Sequence, residues 1–455
     1  MNGPSPDKTV QILWKTTLTA AIIIALISLV VSIRDSRDYP GGDLRCRVVG
    51  ARLMTLERDP YSTAFQDDRR FTEPTWRKNG PTIPYTPSLL LFTMPICWVP
   101  YHTQRFIWSG LEWASLLLGI FLLTKLIPGA PAKRFFLICA LLFFVASPFW
   151  RLHVERGQYY SFLLLLEILS LFILVRLGKA AWLFVVPLGW VATMRPSYVV
   201  AGLALFALGR WRAALTFFVT MAAFVGITLP FVGVQGWRQC FKVAEEIGYG
   251  MSSEAYIDQH FGTERVGTFT AEGAAFDGRQ VDVRTTSFTL DGYVHKIVKA
   301  VAPRWVGTDM YTIAWESHIE FAVTLAVILL AIWLLRARLQ NPLVLLLTCL
   351  TVMLYADGFV QVRFSYTDVL FLLPLALILM LLAERPATWL AMAVFLVGLI
   401  LGSGYWSWMT PVQCERARPA ASLAGIFLAL AIQCLSPTLQ HESAGFGQVG
   451  TGIAP

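Results

Sequence analysis

"TLTAAIIIALISLVVSI" (Thr17–Ile33) runs directly into "RDSRDYPGGDLRCRVVGARLMTL" (Arg34–Leu56). An uncharged run of this length, closed by Arg-Asp-Ser-Arg-Asp, is what a helix needs to cross the hydrocarbon core of a bilayer. It has the look of a signal peptide but is long and lacks a small-x-small cleavage site, so it reads as a retained first span. Outward from it, apolar runs recur near 106–126, 135–150, 158–175, 181–194, 196–209, 213–233, 318–335, 341–355, 367–383, 388–403 and 419–435, about twelve in all. Period-two alternation, the mark of a β-barrel, is absent. Backbone polar groups in lipid must be satisfied within their own segment, so the expected fold class is an all-α polytopic membrane protein.

Composition agrees. The 455 residues are 56% hydrophobic and only 15% charged, with a mean hydropathy of +0.59, whereas a soluble domain carries about a quarter charged residues. The net charge of +8 is scattered over helix ends and forms no compact basic patch, which excludes a nucleic-acid partner. Seven cysteines include no C-x-x-C pair. Cys97, Cys139, Cys349 and Cys434 lie in apolar runs, where a thiol acts as a small hydrophobe. Cys46, Cys240 and Cys414 are expected to face outward, leaving one disulfide open.

The chain reads as one integral membrane domain, 1–455, with two polar segments too long to be mere connections: 34–105 and 234–317. Within the first, Pro87–Val99 is apolar but short and broken by Pro95 and Pro100, which suits a re-entrant or interfacial piece. With a cytoplasmic N-terminus, short cytoplasmic segments hold twelve Lys and Arg against six on the opposite side. That bias puts both termini in the cytoplasm and both polar segments outside.

Candidate chemistry gathers on that outer face. Gly41-Gly42 breaks the chain before Asp43, and Leu44, Val48, Ala51 and Leu56 follow at helical spacing, with Arg52 opposite. Asp43 is thus a candidate catalytic base beside the membrane surface, or equally an N-cap with no further task. Arg45, Arg47 and Arg52 suit lipid headgroups as well as substrate. "SPFWRLHVERGQYYS" (Ser147–Ser161) places Arg151, His153, Glu155, Arg156 and Gln158 in a short outer loop. "MRPSY" (Met194–Tyr198) holds Arg195 at a proline-set break, and "YADGFVQVRFSYTDV" (Tyr355–Val369) adds Asp357, Gln361, Arg363, Tyr366 and Asp368. Ionisable groups at membrane depth are costly, so each is a functional suspect, though a paired or snorkelling charge explains any one of them. Glu112 and Glu167 fall inside apolar spans, as halves of buried pairs or protonated acids. The polar stretch Ser252–Phe288 looks like a cover over a site, with His260, His295 and nearby His318 as substrate contacts or solvated side chains.

These segments together resemble glycosyltransferase family 87: "GGDLRCRVVGARLM…RDPY", "YTPSLLLFTMPICWVP", "ERGQYYSFLLLLEILSLFILVRLGK" and "WVATMRPSYVVAGLALFALGRWRAAL", in order from Asp43 to Phe231. The resemblance implies a GT-C fold with about twelve transmembrane helices, a polyprenyl-phosphate sugar as donor, mannose as the sugar, and a lipid or glycan acceptor. It implies residence in a bacterial plasma membrane with the active site on the extracytoplasmic face, and no cofactor. The family's outer-loop acid falls on Asp43, its Gly-Gln element on Gly157 and Gln158, its basic residue and proline on Arg195 and Pro196, and its Asp-Pro-Tyr on Asp59, Pro60 and Tyr61. Its late Ser-Pro-x-x-Trp-Asp-His-like element has "RFSYTDVLFLLPLAL" as nearest counterpart, which keeps Ser365 and Asp368 but lacks the Trp and the His.

The chemistry so implied asks for one acid and at least one arginine near the headgroup plane. An acceptor hydroxyl must lose its proton to a general base, and the leaving phosphate, already anionic, needs a cation more than an acid. Asp43 supplies the base. Arg195 and Arg363 are the first phosphate-binding candidates, with Arg151 and Arg156 behind them. Arg47, Tyr61, Tyr85, Gln158, Tyr198 and Asp368 are the candidate substrate contacts. No D-x-D motif occurs, in keeping with a lipid-monophosphate donor and no metal. A transporter or flippase built on Glu112 and Glu167 is the rival, against which stands the lack of an internal repeat. A ligase moving a whole glycan from a lipid diphosphate is a third.

Overall fold

The computed structural model describes residues 8–38, 41–61, 83, 85–252, 310–360, 365–402 and 411–435, with side chains described except at 8, 179, 244–252, 310–318, 358–360, 365 and 411–418. Among these residues every regular element is helical. In chain order they are α1 (Lys8–Asp38), α2 (Gly42–Thr55), α3 (Pro87–Thr93), α4 (Tyr101–Leu126), α5 (Ala130–Ala140), α6 (Pro148–Arg156), α7 (Tyr160–Arg176) and α8 (Val185–Met194). There follow α9 (Val200–Ala207), α10 (Trp211–Ser252), α11 (Met310–Leu335), α12 (Pro342–Val360), α13 (Leu372–Glu384), α14 (Trp389–Leu401) and α15 (Pro411–Leu435).

Among the described residues four helices are long and apolar enough to cross a membrane: Thr9–Asp38, Tyr101–Leu126, Trp211–Val243 and Tyr366–Glu384. Apolar helical stretches of 10–17 residues among the described residues include Ala180–Met194, Pro196–Ala207 and Pro386–Leu401. The expected spans near 181–194 and 196–209 are shorter helices, whereas α11, α12 and α15 run for 26, 19 and 25 residues. The physical reason for the short ones is proline. Pro196 and Pro386 each open a 3₁₀ turn that divides neighbouring apolar helices, since proline lacks the N–H that would continue the ladder.

The arrangement is layered by exposure. The most apolar windows of α1 and α10 are 11% buried, against 89% for Tyr366–Glu384. α1 and α10 therefore form the outer wall, with Ile12, Leu13, Val30, Val219 and Val234 facing outward, and α13 forms the centre. α10 kinks at Gly233, whose φ of 61° and ψ of −176° belong to glycine. The kink coincides with the expected end of that apolar run, yet the helix continues to Ser252 into the segment read as polar connection. Residues 253–309, which include His260 and His295, lie outside the described residues, as do Gln361 and Arg363; the side chain of His318 does too.

One expectation is overturned with consequences for the site. Ser147–Ser161 is not a loop: Pro148–Arg156 is a helix, bent by 54° from the Ala130–Val145 helix before it. The punctuation is local. The Ser147 side chain accepts from the Trp150 N–H, proline follows at the first helical position, and Gly157 at φ 68° ends the helix.

Candidate active site

Three side chains from two other segments meet at one carboxylate. Asp43 is the second residue of α2, and the N-cap is Gly41, in left-handed conformation with no side-chain cap. Asp43 therefore does not cap its helix. Its Oδ1 accepts from the Tyr85 hydroxyl at 2.9 Å. Its Oδ2 accepts from Arg156 Nε at 2.5 Å and from Gln158 Nε2 at 2.5 Å. The Asp43 side chain is 17% exposed and that of Arg156 40% exposed, so the pair lies at an accessible rim.

The electrostatics follow from this geometry. Burial pushes the Asp43 carboxyl up, but the charge and hydrogen bond of Arg156, the charge of Arg47 and the Tyr85 phenol outweigh it and hold it below the ordinary 3.8. Burial first, and the Asp43 charge next, hold the Tyr85 phenol well above its usual 10. Tyr85 is thus a fixed donor, and Asp43 is ionised at every physiological pH.

Beneath the rim a buried scaffold fixes these groups. Arg105 of α4 donates from Nη2 to the carbonyls of Val154 at 3.2 Å and Glu155 at 3.1 Å. Arg47 donates to the Gly157 carbonyl, and Trp108 Nε1 donates to the Gln158 carbonyl at 2.8 Å. Two guanidinium groups therefore cap the carbonyl end of α6, where the helix dipole is negative. Gly41 and Gly157, both at positive φ, close on the Arg105 guanidinium, and a Cβ at either would lie 2.7 Å from it. Arg47 is fully buried, 4.9 Å from the Trp108 ring and 5.1 Å from the Tyr85 ring. Arg52, also buried, donates to the Cys97 carbonyl at 2.7 Å. Arg47 and Arg52 are thus both enclosed by protein rather than displayed on its surface.

Gly157→Ala is expected to destabilise the protein by about 1–2 kcal/mol from its left-handed backbone alone. The added methyl also meets Arg105 Nη1 and, at 2.8 Å, Leu44 Cβ. Thermal unfolding in detergent together with a transfer assay measures this; unchanged values of both would mean the turn is not rigid.

The other expected site residues divide into groups. Tyr61 donates its hydroxyl to the Tyr85 carbonyl at 2.8 Å, and its own N–H goes to Asp59 Oδ1 at 2.9 Å. The Asp-Pro-Tyr element thus braces Tyr85. Arg195 pairs with Asp357 of α12 and donates to the Tyr160 hydroxyl at 2.8 Å. Arg151 forks onto Asp35 at the polar end of α1, at 2.7 and 3.3 Å. Tyr198 and Asp368 are 1% exposed. Arg363 lies outside the described residues. A tyrosine wall joins the two arginine sites: Tyr159 and Tyr160 stack at 4.5 Å, Tyr160 lies 5.8 Å from Tyr366, and Arg156 is 5.9 Å from the Tyr366 ring.

Sequence reading missed Arg105, whose place at the start of α4 gives no signal of what it will cap. Glu112, read as half of a buried pair or as a protonated acid, lies 3.3 Å from His153 of α6, with both side chains fully buried. Trp150 stacks on that imidazole at 4.9 Å. Cys46 and Cys240, expected to face outward, are buried free thiols. The Cys46 Sγ donates to the Gly42 carbonyl within its own helix, and the disulfide expectation fails for this pair; the Cys414 side chain is not described.

The model of glycosyltransferase family 87 matches residues 83–357. The matched segment includes Tyr85, Arg156, Gln158, Arg195 and Asp357, while Asp43 precedes it. No curated protein and no solved structure matches the chain.

Proposed function

The chain belongs to glycosyltransferase family 87 and is a membrane glycosyltransferase, and from that premise we propose that it moves one hexose, mannose by family resemblance, from a polyprenyl-phosphate donor to an acceptor hydroxyl. Asp43 is the general base. Arg156 is the first cation to receive the leaving phosphate, with Arg195 and Arg363 behind it. The acceptor oxygen attacks the anomeric carbon from the face opposite the phosphate and gives its proton to Asp43. The carbon–oxygen bond to phosphate breaks with its electron pair, polyprenyl phosphate leaves, and the anomeric centre is inverted. The bound proton then passes to water.

The single observation that carries this is the partly exposed Asp43 carboxylate with an arginine of 40% side-chain exposure beside it, five residues beyond the end of the membrane-length helix α1. A lipid-borne phosphate is confined to the headgroup plane, and the site lies where the chain leaves that plane. Arg195 is less suited to a first contact, since its side chain is 9% exposed and already neutralised by Asp357. The tyrosines beside Asp43 offer flat apolar faces for the C–H surface of a sugar ring. The excess of Lys and Arg in the segments assigned to the cytoplasm supports a site on the outer face with both termini inside, and the family resemblance supports a bacterial plasma membrane. The acceptor is a lipid or glycan hydroxyl. Of the two acids that motivated a transporter, Glu112 and Glu167, the first lies 3.3 Å from His153, and membership of a transferase family weighs against that rival.

Incubating purified protein with a panel of synthetic polyprenyl-phosphate sugars and mixed cell-envelope acceptors, followed by mass analysis, tests the proposal. A product heavier by one hexose is the expected result. No transfer from any lipid monophosphate, or a product extended by a whole glycan, would overturn it.

A further inference from the structure

We propose that Arg156 is a shared cation: its Nε holds Asp43 while its two terminal nitrogens take the donor phosphate, so that deprotonation of the acceptor waits on donor binding. This rests on the reading above and goes beyond it, because it makes the base and the phosphate site one device.

The resting carboxylate is poorly placed to act. A carboxylate has about four lone-pair positions, and three of Asp43's are engaged by Tyr85, Arg156 and Gln158 at 2.5–2.9 Å. Arg156 sits beside it with its own charge spent, so the group is held as a weak base. Yet only one edge of that guanidinium is used. Among the described residues its single hydrogen bond runs from Nε to Asp43. The planar fork presents its other donors elsewhere, on a side chain 40% exposed and backed by the Tyr366 ring. The free edge has the width that two phosphate oxygens require.

An anion on that edge changes Asp43 in two ways of the same sign. It draws the guanidinium charge toward itself, and it adds a second negative charge near the carboxylate. Both make the carboxylate hold a proton more readily. The other charged and titratable groups facing Asp43 do not replace Arg156 in this role. Arg47, on the same helix, is fully buried and bound to the Gly157 carbonyl. Cys46, Tyr85 and Tyr366 are buried and carry no positive charge. Gln158 is neutral. An empty enzyme therefore keeps its base quiet, and the donor's own phosphate switches it on.

The test is calorimetric binding of a short-chain polyprenyl-phosphate mannose without acceptor, at about pH 4.5, in two buffers of different ionisation enthalpy. A phosphodiester does not titrate there, so net proton uptake reports on the protein. We expect uptake of a sizeable fraction of one proton in the wild type, none in Asp43→Asn, and loss in Arg156→Gln with weakened binding. Arg156→Lys keeps the charge without the fork and should recover part of the binding and little of the uptake. In steady state, the acid limb of kcat should lie about one pH unit above that of kcat/KM for the donor. Binding without proton uptake, equal uptake in Asp43→Asn, or coincident acid limbs would overturn the coupling while leaving the transferase reading intact. Absence of both binding and transfer with every polyprenyl-phosphate sugar would overturn that reading and the coupling with it.

Discussion

Asp43→Asn is expected to lower sugar transfer by about 10²–10⁴-fold, the usual contribution of a positioned general base. The amide keeps the shape of the carboxylate and accepts from Arg156 through its remaining oxygen, but it takes no proton from an attacking hydroxyl. The fold should survive, because the cation left unneutralised is Arg156, whose side chain is 40% exposed and can be solvated. Initial rates at saturating donor, alongside thermal unfolding in the same detergent, separate the two effects. Full activity in a folded Asp43→Asn protein would remove Asp43 as the base. The sign of the pH dependence follows from the same contacts. Because the carboxyl is held below 3.8 in the resting protein, its ionised form and the stability of its ion pair persist above its unfolded value and are lost only as pH falls through the lower folded one. The acid limb of kcat/KM for the donor should therefore lie below that of an ordinary aspartate.

Arg195→Met should be the most damaging change to stability. Its partner Asp357 is fully buried, and Asp357 Oδ2 has no hydrogen-bond partner among the described residues. Removing the arginine leaves a carboxylate in the bundle interior with no counter-ion, a loss of about 3–5 kcal/mol for pairs of this type. The pair also connects the break between α8 and α9 to α12 and, through the Tyr160 hydroxyl, to the start of α7. A second change, Asp357→Leu in the Arg195→Met background, replaces the whole pair by apolar groups and should recover most of the loss. Denaturation of the single and double variants in one detergent measures both. A single variant as stable as the wild type would show that the pair is not a structural tie. Recovery of stability without recovery of transfer would place Arg195 in phosphate binding as well.

The legibility of the fold varied with the range of the interaction. α1 was readable because its run is uncharged over membrane length and is closed by four charges in five residues. α2 was readable from Leu44, Val48 and Ala51, all of which are buried. α6 carried full helix signals in Ser147, Pro148 and Gly157, yet its four polar side chains look like a loop between two apolar runs. Those side chains are tolerated because they go to partners: Arg151 to Asp35, His153 to Glu112 and Arg156 to Asp43.

The sequence by itself determined that this is a helical membrane protein, and it singled out Asp43, after the first span, as the candidate base on which the proposal rests. Hydrophobic period and charge bias are local quantities, and they survive without coordinates. Only the tertiary structure decided which arginine answers which acid. The pairs 35–151, 43–156 and 195–357 are separated by 116, 113 and 162 positions, and helix packing alone brings such residues within reach. Among the four candidate phosphate ligands, the chain alone put Arg195 and Arg363 ahead of Arg151 and Arg156. In the folded bundle one is forked onto the end of α1, one is sealed against Asp357, one falls outside the described residues, and Arg156 stands at the rim with an edge to spare. An ion pair's identity depends on distance and burial, and neither is written in composition or spacing.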